Sequence, residues 1–179
     1  MNTKEKVMEA LFEEPSRKFH IRLLARMTGL NPNTIISITD DLAKEGLLTK
    51  QKEKETNLVT IKANPQDTIF KIRKQAYNIE KIHKSGIIKH LEEQLSYPAI
   101  ILFGSYAKAE NHKSSDIDLF IVTEAKKEPD LAAFERRLGA PIQLFIHNKK
   151  ELKRLVNTNP ELMNNVLNGT VLSGFLEVF

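Results

Sequence analysis

Two aspartates inside an otherwise apolar segment are the residues whose type and spacing best suit chemistry. Asp116 and Asp118 begin the run 116–122, eleven residues after Ser105. Successive side chains of a strand point to opposite faces, so this pattern predicts both carboxylates on one face and the apolar residues between them on the other. Two such carboxylates can converge on one hard cation, and without it their like charges repel. We therefore expect a divalent metal or a basic partner here.

A glycine-serine turn stands upstream of these aspartates. Gly104 and Ser105 follow the short apolar run 99–103, which is typical of a buried strand. Together with Asp116 and Asp118, this pattern resembles the glycine-serine and aspartate-x-aspartate motif of the polymerase-beta-like nucleotidyltransferases, specifically their small minimal group. The resemblance covers about residues 85–179. It implies an α/β (α+β) fold with a mixed sheet flanked by helices.

The resemblance also implies roles for individual residues. Asp116 and Asp118 would be the catalytic, metal-binding carboxylates, holding two Mg²⁺ ions that bridge the triphosphate of an NTP and an attacking hydroxyl. Gly104 and Ser105 would bind the nucleotide phosphates, since glycine lets the backbone approach an anion closely. Lys108, and more weakly His112 in the same loop, could reach phosphate oxygens. A loop lysine or histidine is, however, more often a solvated surface residue.

One position departs from the family pattern. Gln143 in the predicted strand 141–146 stands where the family usually carries a third carboxylate. A glutamine offers a neutral oxygen ligand and no base, so the site would hold one metal if this change disables the second. Another carboxylate from 124–130 could substitute. Two functions stay open: nucleotidyl transfer from an NTP to an unknown hydroxyl acceptor, or a transcription regulator that binds nucleotide with weak or no catalysis.

The first 64 residues show a different pattern. Helices are predicted at 3–12, 21–27 and from Pro32 to Gly46, with Gly29 ending the second and Asn31 capping the third. Strands at 47–49 and 58–61 follow, flanking a charged tip. This order resembles the winged helix-turn-helix of prokaryotic regulators, which also serves as a protein-interaction module. The resemblance implies DNA contacts from residues of the third helix, its approach and the wing, namely Asn33, Thr34, Ser37, Arg22, Lys50, Lys52 and Lys54.

The wing and the charges near it leave two interpretations open. Lys50, Lys52 and Lys54 alternate with period two, so they would share one face suited to a phosphate backbone. Alternatively, the hairpin is a solvated surface whose lysines alternate with glutamates for solubility. Arg17 and Lys18 are further candidates for phosphate contact.

Residues 65–95 are predicted to form a linker of one long helix or two abutting helices. An apolar stripe recurs at helical spacing and is interrupted at Ser85-Gly86, where a kink is expected. This segment either pairs with a second copy of itself, giving a homodimer, or packs only within its own chain. The sequence thus divides into a DNA-binding domain (1–64), the linker (65–95) and a nucleotidyltransferase-like domain (96–179).

Composition limits the classes of protein, site and partner that are possible for this chain. Hydrophobic residues make up 41% and charged residues 28% of the 179, an ordinary globular balance with no membrane-spanning run. The chain has no cysteine and a net charge of +4, so a thiolate site is excluded and a polyanionic partner is permitted. No secretory pattern starts the chain, and a cytoplasmic location is expected. A protein acceptor or a small ribonuclease toxin is a further partner that the resemblance allows.

Overall fold

The chain divides into two compact units. The computed structural model describes residues 2–54 and 58–178, and the units are Met1–Lys74 and Gln75–Phe179. Helices and mixed β-sheet occur together, which confirms the predicted α+β class. Within the described ranges, no helix combines the length and apolar character needed to cross a bilayer.

The N-terminal unit contains three helices followed by a hairpin, in the predicted order. Its elements are α1 (Thr3–Glu13), β1 (Phe19–His20), α2 (Ile21–Thr28), α3 (Pro32–Lys44), β2 (Leu48–Lys52) and β3 (Val59–Ala63). The three strands form an antiparallel sheet in the order β1-β3-β2. Fully buried side chains from all parts of this unit, including Leu11, Leu24, Ile35 and Ile61, form its core.

Local sequence signals determine where α2 ends and α3 begins. Gly29 follows α2 with φ of 69°, a left-handed conformation that glycine adopts at little steric cost. The side chain of Asn31 accepts a hydrogen bond from the Asn33 N–H, and Pro32 occupies the first turn. The predicted cap residues of both helices are therefore confirmed.

The hairpin differs from its predicted extent. Residues 50–52, expected in the charged tip, belong to β2, because backbone pairing with β3 continues across polar residues. Lys54 lies beyond β2, so the predicted alternation of three lysines along one strand holds only for Lys50 and Lys52. The tip residues 55–57 lie outside the described residues, and they include Glu55, one of the glutamates expected to alternate with the lysines. Strand β1 was not predicted, since two residues are too short to show a period.

The predicted kink in the linker is present. α4 (Thr68–Ser85) and α5 (Ile87–Gln94) are separated by Gly86, whose φ is 85°. The apolar stripe of α4 has two environments: Ile82 is buried, whereas Ile69 and Ile72 are 48% and 55% exposed.

The remaining C-terminal elements build a four-stranded sheet with helices on both faces. They are β4 (Ala99–Phe103), α6 (Gly104–Ala107), β5 (Ile117–Val122), α7 (Ala132–Leu138), β6 (Ile142–His147), α8 (Lys149–Thr158), α9 (Pro160–Leu167) and β7 (Thr170–Ser173). The strand order is β6-β5-β4-β7, with β5 and β6 parallel and the other pairs antiparallel. The sheet is therefore mixed, as predicted.

Two apolar cores sandwich this sheet. On one face, residues of α5 and α7 pack against Ile117, Leu119 and Ile121 of β5. On the other, residues of α8 and α9 pack against Phe103 and Phe120. Strand alternation therefore assigns Asp118 to the α8–α9 face, at the end of the strand where the apolar core gives way to polar residues.

Candidate active site

The central strand β5 carries the predicted carboxylates. The backbone of Asp118 pairs with Phe103 at the end of β4 and with Gln143 in β6. Asp116 precedes the first paired residue of β5 by one position, so it lies just outside the strand that was predicted to contain it. Both aspartates are half-buried, while Ile117 between them is almost completely buried. The predicted separation of polar and apolar faces is thus observed.

The glycine-serine turn lies directly beside Asp118. Gly104 has φ of 69°, and a Cβ built at this position would lie 2.4 Å from Asp118 Oδ2. Glycine is therefore required here for two reasons, the left-handed backbone and the approach of the carboxylate. Ser105 follows in the first turn of α6, and its carbonyl accepts a hydrogen bond from the Glu110 N–H at 2.9 Å. The fold thus brings the turn and one aspartate together.

The electrostatics of the two aspartates favour a cation. Burial raises the pKa of Asp118, and the nearby negative charge of Asp116 raises it further. Among the ion pairs of residues 2–54 and 58–178, none includes either aspartate. A bound cation would offset both the burial of the Asp118 charge and its repulsion by Asp116, because it supplies the missing positive charge.

Gln143 contacts the first aspartate. Its Nε2 donates a hydrogen bond to Asp116 Oδ2 at 2.5 Å. The position that the family pattern assigns to a third carboxylate is thus occupied by an amide that is hydrogen-bonded to Asp116. Across the described residues, no cluster of three or more histidine, aspartate or glutamate side chains is placed to hold a metal. Two carboxylates and an amide oxygen are nevertheless hard donors that suit one Mg²⁺ completed by phosphate oxygens.

The structure gives the loop residues other partners. Lys108 Nζ donates to Asn165 Oδ1 of α9 at 3.2 Å, a contact between residues 57 positions apart that no local pattern could reveal. The Nδ1 atom of His112 is 3.1 Å from the Ser114 hydroxyl, on the surface of the loop. Lys149, at the start of α8, uses its backbone N–H to bond Glu124 in the acidic stretch considered as a substitute carboxylate source.

The predicted DNA-contacting residues occupy the surface of the N-terminal unit. Asn33, Ser37 and Arg22 are exposed and Thr34 is half-buried. Lys50 Nζ lies 2.5 Å from Asp40 Oδ1 of α3, whereas Lys52 and Lys54 are exposed. Arg17 is paired with Glu14 at 2.7 Å. The sequence did not indicate the Lys50 pair, since ten residues separate its members.

Comparison with known proteins supports the interpretation of the C-terminal unit. The model of the family described as polymerase beta, nucleotidyltransferase matches residues 85–174, about half of the chain. The matched range includes the glycine-serine turn, both aspartates and Gln143. No curated protein matches the chain. The chain therefore belongs to the polymerase beta nucleotidyltransferase family.

Proposed function

We propose that the C-terminal unit binds Mg-NTP and transfers a nucleotidyl group to a hydroxyl acceptor. The observation that carries this proposal is the carboxylate of Asp118 lying against the positive-φ Gly104, which joins the two halves of the motif in one site. Membership of a nucleotidyltransferase family makes this chemistry the expected one.

The residues of the motif have separate roles in the proposed reaction. Asp116 and Asp118 would hold Mg²⁺. In the turn at Gly104-Ser105, backbone N–H groups and the serine hydroxyl donate hydrogen bonds to the β- and γ-phosphates. Bound Mg²⁺ would supply charge neutralisation for the triphosphate. The acceptor oxygen forms a bond to the α-phosphorus while the α–β bridging P–O bond breaks and pyrophosphate leaves. Because Gln143 cannot take a proton, the hydroxyl proton passes to water or to a group of the acceptor itself.

A second candidate is a nucleotide sensor, and the hydrogen bond from Gln143 to Asp116 favours it. In that function, the site binds Mg-NTP as an effector while the N-terminal unit acts as a transcription regulator. A glutamine in place of the third carboxylate offers only a neutral metal ligand and no general base on the acceptor side, but leaves the nucleotide side in place.

Transfer of label from α-³²P-NTP distinguishes the two candidates. Wild type, Gln143→Asp and Asp116→Asn/Asp118→Asn would each be incubated with cell lysate and Mg²⁺. Label transfer by wild type that disappears in the double variant supports the enzyme. No transfer by wild type, but transfer by Gln143→Asp, supports a sensor derived from an enzyme. Equal labelling by all three proteins would contradict both.

We also propose that the N-terminal unit is a winged helix-turn-helix that binds DNA. Support comes from the order of its helices and hairpin, and from exposed polar residues early in α3, Asn33 and Ser37. Thr34 of α3 and Arg22 of α2 are the other DNA-contacting residues that we propose on the helices. Because Lys50 neutralises Asp40, Lys52 and Lys54 are the wing residues with charge available for phosphates.

Binding to the protein's own promoter, measured by fluorescence anisotropy at several salt concentrations, tests this proposal. Lys52→Ala/Lys54→Ala should weaken binding and reduce the salt dependence by up to about two released ions. Lys84→Ala/Lys89→Ala is the matched control, since these lysines of α4 and α5 are 74% and 82% exposed and carry the same charge. Equal effects of the two double variants would contradict the wing assignment.

The exposed apolar residues of α4 support a further partner, a second copy of this chain. We propose a homodimer through residues 66–95, supported by the exposure of Ile69 and Ile72. Ile69→Glu/Ile72→Glu should then shift sedimentation from dimer to monomer.

An acceptor protein or a toxin partner, and a cytoplasmic location, stay as predictions of the sequence.

A further inference from the structure

A buried asparagine of α4 contacts the segment that carries the glycine-serine turn. Asn78 is 1% exposed, and its Nδ2 donates hydrogen bonds to the Tyr106 carbonyl at 2.9 Å and to Asn111 Oδ1 at 2.8 Å. Asn111 is itself only 7% exposed. One side chain thus bonds both α6 and the loop that follows it.

A neighbouring glutamine contacts the same segment. Gln75, one helical turn before Asn78, donates from Nε2 to the carbonyl of Ala107 at 2.8 Å. The carbonyls of two consecutive residues, 106 and 107, are therefore each bonded by a side chain of α4. Gln75 and Asn78 are three residues apart and therefore lie side by side on one face of α4.

The segment held by these contacts is strained. It begins with Gly104 at φ 69° and contains Ala109 at φ 57°, a left-handed conformation that costs a non-glycine residue energy. Such a conformation persists only where surrounding contacts determine it. Asn78 bonds this segment on both sides of Ala109, at the Tyr106 carbonyl and at the Asn111 side chain. Burying the amide of Asn78 costs free energy unless its donors are bonded.

We infer that Asn78 is a positioning residue, which, aided by Gln75, holds the Gly104-Ser105 turn in the conformation that binds the nucleotide phosphates. The inference rests on the proposed function, because it concerns the same turn. Because Asn78 is 1% exposed, it acts through the backbone of the segment it bonds and not by contact with the phosphates.

Asn78→Asp is the primary test, since it keeps the shape of the side chain but removes the N–H donors. Gln75→Ala is a milder second variant, and Asn157→Ala, at an exposed position of α8, is the matched control. Affinities for Mg-ATP and Mg-AMP are measured by displacement of a fluorescent ATP analogue. Hydrogen exchange of the full chain without nucleotide reports residues 104–111 and, separately, β5 and β6.

We expect Asn78→Asp to weaken Mg-ATP binding about tenfold and Mg-AMP binding little, because only ATP carries β- and γ-phosphates. Exchange should rise in 104–111 and stay unchanged in β5 and β6, with Gln75→Ala showing a smaller effect in the same direction. Equal losses for ATP and AMP, or an exchange increase spread over the whole unit, would overturn the inference in favour of a general stabilising role. If wild type binds neither nucleotide, the proposed function fails, and unchanged exchange in 104–111 would show separately that Asn78 does not hold the turn.

Discussion

Two pairs of neighbouring aspartates occur in this chain, and the two units neutralise them differently. In the N-terminal unit, Asp40 is paired with Lys50 at 2.5 Å and Asp41 with Lys44 at 3.4 Å. In the C-terminal unit, Asp116 receives an amide hydrogen bond from Gln143, and Asp118 lies against Gly104. The first pair already has its counter-charges on the surface. The second has an environment that a metal ion would complete.

The shifted pKa values of the two units show the same contrast. Burial lowers the pKa of Lys74 to about 8, and the charge of Glu13 opposes that shift. Burial raises the pKa of Asp118, and the charge of Asp116 adds to that shift. Opposite charge near a buried group is typical of a stabilised structure, whereas like charge is typical of a functional site whose ligand supplies the missing charge.

Among single substitutions, Gly104→Ala should have the largest effect on the C-terminal site. The new Cβ would lie 2.4 Å from Asp118 Oδ2 at a left-handed backbone position, so the carboxylate or the turn must move. We expect Mg-ATP affinity to fall about 100-fold, or about 2.7 kcal/mol, by calorimetry. Gly139→Ala is the matched control, because Gly139 has φ of 70° and no atom within 4 Å of its built Cβ. Equal losses in both variants would assign the effect to backbone strain alone.

The variant Lys74→Met tests the lowered pKa of Lys74 through the pH dependence of stability. A lysine whose pKa is lower in the folded state binds fewer protons there than when unfolded, so wild-type stability rises with pH between about 8 and 10.5 and carries the full penalty below 8. We expect wild type to gain about 2 kcal/mol relative to Lys74→Met across this range. Denaturant unfolding at pH 7 and pH 10 measures the difference. If the free energies of unfolding of wild type and Lys74→Met changed with pH in parallel, the lowered pKa of Lys74 would be contradicted.

Single neutralisations of the two aspartate pairs should change stability in opposite directions. In metal-free buffer, Asp118→Asn should raise the free energy of unfolding by about 0.5 kcal/mol, because it removes a half-buried, partly screened charge and its repulsion by Asp116. Asp40→Asn should lower it by about 0.5 kcal/mol, since it breaks an ion pair whose lysine side chain is 20% and whose aspartate side chain is 50% exposed. Urea unfolding measures both values. A loss of stability in both variants would show that the pairs are alike.

Local patterns predicted much of this fold. The caps of α2 and α3, the break at Gly86, and the strands on either side of the turn follow from residue type and period, which act over a few residues. The predicted strand faces of Asp118 and its apolar neighbours are also observed.

Contacts between distant residues could not be predicted in this way. Strand β1 exists because Phe19 and His20 pair with β3, about 40 residues away, and the Lys50–Asp40 pair depends on the packing of the hairpin against α3. The partners of Asn78 and Lys108 come from segments 28 to 57 residues away. Such pairings depend on the three-dimensional course of the backbone, which no short-range period encodes.

Calorimetric titration of Mg-ATP into three proteins tests the central claim most directly, that Asp116 and Asp118 form a metal-dependent nucleotide site. The proteins are wild type, Asp116→Asn/Asp118→Asn and, as the matched loss of two carboxylates, Asp40→Asn/Asp41→Asn. We predict binding by wild type, no measurable binding by the first variant, and an affinity within about twofold of wild type for the second, since Asp40 and Asp41 belong to the N-terminal unit and already have lysine partners there. Undiminished affinity in Asp116→Asn/Asp118→Asn would contradict the account.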